Sequence, residues 1–179
     1  MVTETAALGL ARRIAASVPD PELPMLTIAD LGILRDVSVS GQRVTVSLTP
    51  TYSGCPALAE MRRDVAVRLA AAGFADVEVH TVLSPPWSTD LISADGRRKL
   101  AEAGLAPPRS VSEGRAGQPA RARTDGPVPL TLLSASPPVA CPRCGSADTV
   151  LSAAFSGTAC KDLRRCRGCG EPFEHVKEV

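Results

Sequence analysis

The spacing of apolar residues predicts three helices in the first part of the chain. Over 56–72, apolar side chains recur three or four residues apart with charged residues between them, and Gly73 follows as a cap. This pattern is typical of an amphipathic helix. A similar pattern predicts a helix over 5–18 that is ended by prolines. Ser93 is a favourable N-cap for a third helix over 94–103.

Two other stretches alternate apolar and polar residues, which is typical of half-buried strands. The first covers 33–49 and is interrupted by Gly41-Gln42, a pair suited to a two-residue hairpin turn with glycine first. The second covers 76–83. The resulting order, α-β-β-α-β-α, predicts an α/β (α+β) domain over 1–108, with a small three-stranded sheet and its helices on one face.

The composition changes after this domain. Residues 109–138 hold five prolines, three glycines, four serines and no aromatic residue. They therefore have little surface to bury and much backbone entropy to lose on folding. We interpret them as a Pro/Gly/Ser-rich flexible linker, which leaves 139–179 as a second, smaller domain.

Four cysteines of the second domain form two C-x-x-C pairs, each followed by glycine: Cys141, Cys144, Cys166 and Cys169. Two residues between thiols let both sulfurs reach one ion, and the glycine permits a tight turn. They predict a four-cysteine zinc ribbon, with strands at about 149–155 and 161–166 and a third that begins at Phe173. So short a domain lacks a self-sufficient core, and bound metal must supply folding free energy.

Zn²⁺ is the expected structural ion, although a tetrathiolate also accepts iron or an iron–sulfur cluster. With iron, the ribbon would be a four-cysteine electron carrier, which is an alternative reading of the same motif. Cys160 is a candidate extra thiol, either packed beneath the ribbon or exposed as an alternative ligand, and we favour packing. His175 lies beyond the second pair and is expected on the surface of a strand.

Cys55 stands apart from the other five cysteines, in the loop TPTYSGCP before the 56–72 helix. Pro56 suits the first helical turn, which makes Cys55 the predicted N-cap. Backbone amides and the positive end of the helix dipole favour a thiolate at such a position. We therefore interpret Cys55 as a reactive or ligating thiol, with a buried, space-filling cysteine as the alternative.

Few other side chains of the first domain suit this chemistry. His80 lies on the last predicted strand, and a catalytic pair with Cys55 is a weak alternative, because a single histidine on such a strand usually faces solvent. Asp20, Glu22 and Asp30 cluster in a loop constrained by prolines. They suit a hard cation, but capping and turn formation explain them more simply.

Charge and hydropathy exclude several classes of protein. Lys and Arg number 20 against 19 Asp and Glu, which excludes a globally basic nucleic-acid binder. No run of eighteen apolar residues predicts a membrane span. Arg12-Arg13 interrupts the stretch in which a signal peptide needs an apolar region, so we expect a cytoplasmic protein with reduced thiols.

Three segments of the first domain resemble the SufT-type iron–sulfur assembly family. They are DPELPMLTIADLGILRDV, LTPTYSGCPA and SPPW followed by GRRKLAEAGLAPP, over about residues 8–108. The resemblance implies an α/β domain in which Cys55 handles iron or a transient iron–sulfur cluster. It also implies supporting positions around that thiol, namely Asp20, Glu22, Asp30, Thr51, Pro56 and Trp87.

The sequence of the ribbon indicates a more specific family than the first domain does. It reads CPRCGSADT, SGTACKDLRRC and GEPFEHVK, and together with the first domain it is similar to the PaaD family of accessory subunits. The resemblance implies aerobic phenylacetate degradation, with the reductase or di-iron oxygenase subunits of the phenylacetyl-CoA epoxidase system as partners.

No predicted helix carries the Glu-x-x-His pair of a di-iron oxygenase. We therefore expect a non-catalytic accessory subunit that assists assembly or maintenance of an iron or Fe–S centre through Cys55. A homo-oligomer is compatible with this expectation. A nucleic-acid-binding ribbon protein is the other class considered, but the sequence lacks the basic stripe and interleaved aromatic residues it needs.

Overall fold

The computed structural model describes residues 4–52, 54–109 and 138–178. They divide into two compact units, one ending at Ala103 and the other beginning at Gly104. Residues 110–137, most of the predicted linker, lie outside the described residues. Within the described residues, no helix has the length and hydropathy needed to cross a bilayer.

The first unit follows the predicted order of elements, and the α/β class is confirmed. Its elements are α1 (Glu4–Ala16), β1 (Leu34–Ser40), β2 (Arg43–Leu48), α2 (Ala57–Ala71), β3 (Asp76–Thr81) and α3 (Ala94–Glu102). β1 and β2 pair antiparallel, and β2 and β3 pair in parallel. Gly41 adopts φ 60° while the next residue keeps a negative φ, as a hairpin turn with glycine first requires.

The core of this unit lies between the sheet and the helices α1 and α2, which contact β1 and β3 respectively. The buried strand residues alternate along β2, and the buried residues of α2 recur with helical spacing, as predicted. They include Val44, Val46, Leu48, Met61, Val65 and Leu69.

Asp30 ties the loop before β1 to α3. Its carboxylate accepts hydrogen bonds from the Thr27 amide (2.9 Å) and from the Lys99 ammonium (2.8 Å). The Ser93 amide donates to the Asp30 carbonyl at 2.8 Å. Ser93 caps α3 as predicted, since its hydroxyl accepts from the Gly96 amide at 2.9 Å. A short 3₁₀ helix, Thr89–Leu91, precedes α3 and was not predicted.

The second unit is built on one antiparallel sheet in the order β4 (Thr149–Ala153), β5 (Lys161–Cys166), β6 (Pro172–Val176). These strands lie where the ribbon pattern predicted them. The zinc-ribbon part of the fold prediction is confirmed.

The segment that follows α3 adds to this second sheet. The Ala106 amide donates to the Glu174 carbonyl at 2.9 Å, and the Val176 amide donates to the Ala106 carbonyl at 3.1 Å. Ala106 is buried with Val139 and Phe173 in one apolar cluster. Residues 104–108, predicted to end the first domain, therefore belong to the second unit. The sequence did not indicate this, because a single backbone bridge produces no periodic pattern of apolar residues.

Candidate functional site

The two C-x-x-C pairs form matching turns. The Gly145 amide donates to the Cys141 carbonyl at 2.9 Å, and the Gly170 amide donates to the Cys166 carbonyl at 2.9 Å. Both glycines have positive φ, 73° and 78°. This left-handed conformation, which favours glycine, lets each turn fold back on its first cysteine.

The four ribbon cysteines converge on one point. Their Sγ atoms all lie within 4.8 Å of one another. The Cys141 and Cys169 sulfurs are 3.8 Å apart, and the Cys144 and Cys166 sulfurs are 3.6 Å apart. A tetrahedral Zn²⁺ ion with Zn–S bonds of about 2.3 Å separates its sulfurs by about 3.8 Å. The donor set and its spacing therefore fit such an ion, which supplies folding free energy to the ribbon when bound.

The electrostatics of the cluster also favour a cation. The Cys169 amide, against the effect of burial, lowers the pKa of Cys166 to about 7. The Ser146 amide lowers the pKa of Cys144, but the neighbouring thiols of Cys166 and Cys169 raise it to about 12. Sulfurs this close cannot all ionise unless a positive charge lies between them.

Cys160 and His175 lie elsewhere in the second unit. Cys160 is half-buried, and its sulfur lies 3.1 Å from the Thr158 hydroxyl. His175 was predicted on a strand surface, and this is wrong: it is 1% exposed, and its Nδ1 lies 3.2 Å from the Asp162 carboxylate. Asp162 also accepts a hydrogen bond from the Arg164 guanidinium at 3.0 Å. His175 therefore belongs to a buried polar cluster with Asp162 and Arg164, although it was expected to face solvent.

Cys55 precedes α2 by two residues. Pro56 has helical dihedrals (φ −68°, ψ −30°), as a residue of the first helical turn does, and the amides of Ala57 and Leu58 bond to the Cys55 side chain, as they do to an N-cap residue. Burial raises the pKa of the Cys55 thiol, the amides of Ala57 and Leu58 lower it, and the charge of Glu22 raises it further. The net shift is upward, so the free thiol keeps its proton and the predicted preference for thiolate is wrong.

Asp20 and Glu22 are near enough to act electrostatically on Cys55. Asp20 is 6% exposed and accepts from the amides of Glu22 and Leu23, both at 2.8 Å. Burial raises the pKa of Asp20, and those two amides lower it less. The structure therefore brings a half-buried thiol and an almost buried carboxylate into one region, a combination typical of functional sites.

Of the other predicted supporting residues, Pro56 directly follows Cys55 and precedes α2. Asp30 is occupied by Thr27 and Lys99. Thr51 and Trp87 line a common groove. His80 is exposed on β3, with its Nε2 3.3 Å from the Glu78 carboxylate.

Comparison with known proteins matches both units. The iron-sulfur cluster assembly protein family matches residues 14–81, and the PaaD zinc beta ribbon domain matches residues 125–177. An Escherichia coli K12 protein, named as a putative subunit of 1,2-phenylacetyl-CoA epoxidase, is 39% identical over 164 residues, which cover 92% of this chain and 88% of that protein. Both resemblances drawn from the sequence are confirmed.

Two further relatives match the first unit. The Staphylococcus aureus "Fe-S protein maturation auxiliary factor SufT" is 40% identical over 78 residues, which cover 42% of this chain and 88% of that protein. The crystal structure of a domain of unknown function, DUF59, from Bacillus anthracis superposes with a TM-score of 0.51 at 28% identity, over 54% of this chain and 93% of that chain.

Proposed function

The chain belongs to the PaaD family of phenylacetyl-CoA epoxidase subunits, and from this premise we propose that it is a non-catalytic accessory subunit of that system. It assists assembly or maintenance of an iron or Fe–S centre in a partner subunit, the reductase or the di-iron oxygenase. Cys55 is the residue that holds the iron or cluster in transit. Asp20 and Glu22 support it.

The observation that carries this proposal is the setting of Cys55. The thiol lies in a loop at the start of α2, half-buried, with two helix amides and two carboxylates acting on it. A soft thiol is a ligand that iron and iron–sulfur clusters accept, and the two carboxylates act on it electrostatically. Because the free thiol is protonated, binding displaces that proton to solvent as the iron–sulfur bond forms.

Cys55 offers only part of a coordination sphere. Among the described residues, the grouped metal-ligating side chains are the four ribbon cysteines, and Cys55 is not one of them. The other ligands of a cluster must therefore come from the donor and then from the receiving protein. Such a site suits transfer rather than storage: the receiving ligands displace the Cys55 sulfur, which regains a proton.

The ribbon has a different part in this proposal. Its four cysteines hold a structural ion, with Zn²⁺ as the expected metal, and the folded ribbon contributes a surface for the partner subunit. The site is closed by four protein ligands, as in structural rather than catalytic zinc sites.

The proposal is tested by growth on phenylacetate as sole carbon source in a strain that depends on this gene. Cys55→Ser, which keeps the size of the side chain but removes the soft ligand, is expected to abolish growth while the protein stays folded and zinc-loaded. Cys160→Ser is the matched control and should support normal growth. Normal growth with Cys55→Ser would refute the transfer role.

A further inference from the structure

The second unit begins with a short segment, residues 104–109, that precedes all the ribbon cysteines in the chain and that we call the strap. The Ala106 amide donates to the Glu174 carbonyl at 2.9 Å, and the Ala106 carbonyl accepts from the Val176 amide at 3.1 Å. Ala106 therefore forms a parallel bridge to β6, the last strand of the ribbon.

The strap is held by burial as well as by these hydrogen bonds. Ala106 is 1% exposed, and Leu105 and Pro108 are buried too. At the end of the strap, the Arg109 amide donates to the Glu178 carboxylate at 3.4 Å. Connections between elements usually run over the surface, so a segment with this much burial belongs to the fold of the second unit.

Two of the four metal ligands share their apolar surroundings with the strap. Cys141 and Cys166, the first cysteine of each pair, are buried in one apolar cluster with Ala106 and Phe173. The second cysteine of each pair is exposed. The cluster therefore lies on the buried side of the cysteine site, and the strap supplies part of it. Since metal binding supplies folding free energy to the ribbon, it also holds together the surface on which Ala106 packs.

We propose that the strap and the metal stabilise each other: an ion bound by the four cysteines fixes the strap on β6, and removal of the ion releases it. Coupling of this kind is reciprocal, so the strap must in turn raise the affinity of the cysteines for Zn²⁺. The conformation of the chain directly after α3 therefore depends on metal at the ribbon. This inference goes beyond the proposed function and holds whether or not Cys55 transfers iron.

Hydrogen exchange in the full-length protein tests the effect of the metal on the strap. With Zn²⁺ bound, the Ala106 amide should exchange slowly when followed by NMR. After a strong chelator has removed the ion, its exchange should become about a hundredfold faster or more, while amides in the core of α2 keep their rates. Slow exchange at Ala106 without Zn²⁺ would overturn the proposal, and so would fast exchange with Zn²⁺ bound.

Zinc affinity, measured by competition with a chromophoric chelator, tests the effect of the strap on the metal. Ala106→Asp places a charge in the buried cluster and should raise the dissociation constant of Zn²⁺ about tenfold or more, as damage to the shell around a metal site does. Ala106→Ser keeps a small side chain and the backbone bridge, and should stay within about threefold of the wild type.

The matched control is Ala103→Asp, which makes the same substitution at an exposed position directly before the strap. It should change the dissociation constant of Zn²⁺ by less than about twofold, as surface substitutions usually do. Equal zinc affinities of Ala106→Asp and Ala103→Asp would overturn the proposal.

The absorption of bound Co²⁺ separates a change of affinity from a change of ligands. At saturating Co²⁺, the wild type and all three variants should show the same tetrathiolate absorption, because the four cysteines are unchanged. A different spectrum in Ala106→Asp would mean that the substitution alters the ligand set, which would contradict the proposal. If Ala106→Asp is too unstable to bind Co²⁺, the exchange of the Ala106 amide in the wild-type protein decides.

Discussion

Replacing Gly32 by alanine should strongly destabilise the first unit. Gly32 has φ 67°, and an added Cβ would lie 2.5 Å from the Leu91 carbonyl oxygen and 2.6 Å from the Leu91 Cβ. The left-handed conformation costs an L-residue roughly 1–2 kcal/mol. A backbone oxygen cannot swing away, so the 3₁₀ helix must move, and such overpacking costs about 1–3 kcal/mol. The total, about 2–5 kcal/mol, is a large fraction of a typical domain stability of ~5–15 kcal/mol.

The matched control is Gly41→Ala. Gly41 has φ 60° but nothing within 4 Å of an added Cβ, so only the conformational cost of roughly 1–2 kcal/mol applies there. Urea unfolding followed by Trp87 fluorescence gives the free energy of unfolding of both variants. Trp87 is a suitable probe because its indole nitrogen donates a hydrogen bond to the carbonyl of Leu31, the residue directly before Gly32. The difference between the two variants isolates the contact with Leu91. Equal losses of stability in the two variants would refute the argument.

Three further predictions concern metal, pH and the buried carboxylate. Cys169→Ser, or a strong chelator, should unfold the ribbon and abolish the absorption of a Co²⁺-substituted tetrathiolate, while unfolding of the first unit by Trp87 fluorescence is unchanged. Burial opposes the charge of Asp30, but Lys99 holds the pKa of Asp30 below its usual value. The Asp30–Lys99 pair therefore stabilises the fold fully above the ordinary carboxyl pKa, and this stabilisation is lost as pH falls through the lowered pKa of Asp30. Lys99→Met should be less stable than the wild type at neutral pH. In acid unfolding titrations the two proteins should be equally stable below the lowered pKa of Asp30. Burial raises the pKa of Asp20, which means that it disfavours the charged carboxylate. Asp20→Asn, which replaces the carboxylate with a neutral side chain of the same shape, should therefore be at least as stable as the wild type in urea, yet impair growth on phenylacetate. A large loss of stability would show that Asp20 has a structural role.

Local patterns predicted most of the secondary structure because they report burial directly. The apolar residues of α2 are buried at the expected spacing, and Ser93 caps α3 through its hydroxyl. The ribbon cysteines converge because two short turns and a sheet leave them little freedom, so spacing alone located them. These features depend on residues close together in the sequence.

The features that the sequence did not reveal depend on contacts between distant segments. Nothing local shows that Gly32 meets Leu91, that Asp30 binds Lys99, or that Ala106 joins the second sheet. The pKa of Cys55 was misjudged because burial and distant carboxylates outweigh the helix amides.

The spacing of residues along β6 could have predicted that His175 is buried. Phe173 and His175 are two residues apart on β6, and residues with that separation on a strand share a face. Since Phe173 is a large apolar residue and is buried, its face was the better prediction for His175. Its partner Asp162, thirteen residues earlier, could be found only from the strand register.

The central claim is that Cys55 passes iron or a cluster to a subunit of the epoxidase. The most direct test is to measure the iron and acid-labile sulfide content of the epoxidase reductase and oxygenase. Both are purified anaerobically from cells that carry wild-type, Cys55→Ser or Cys160→Ser protein. The account predicts metal-depleted epoxidase only with Cys55→Ser, while the variant keeps its own zinc. Fully loaded epoxidase subunits in the presence of Cys55→Ser would contradict it.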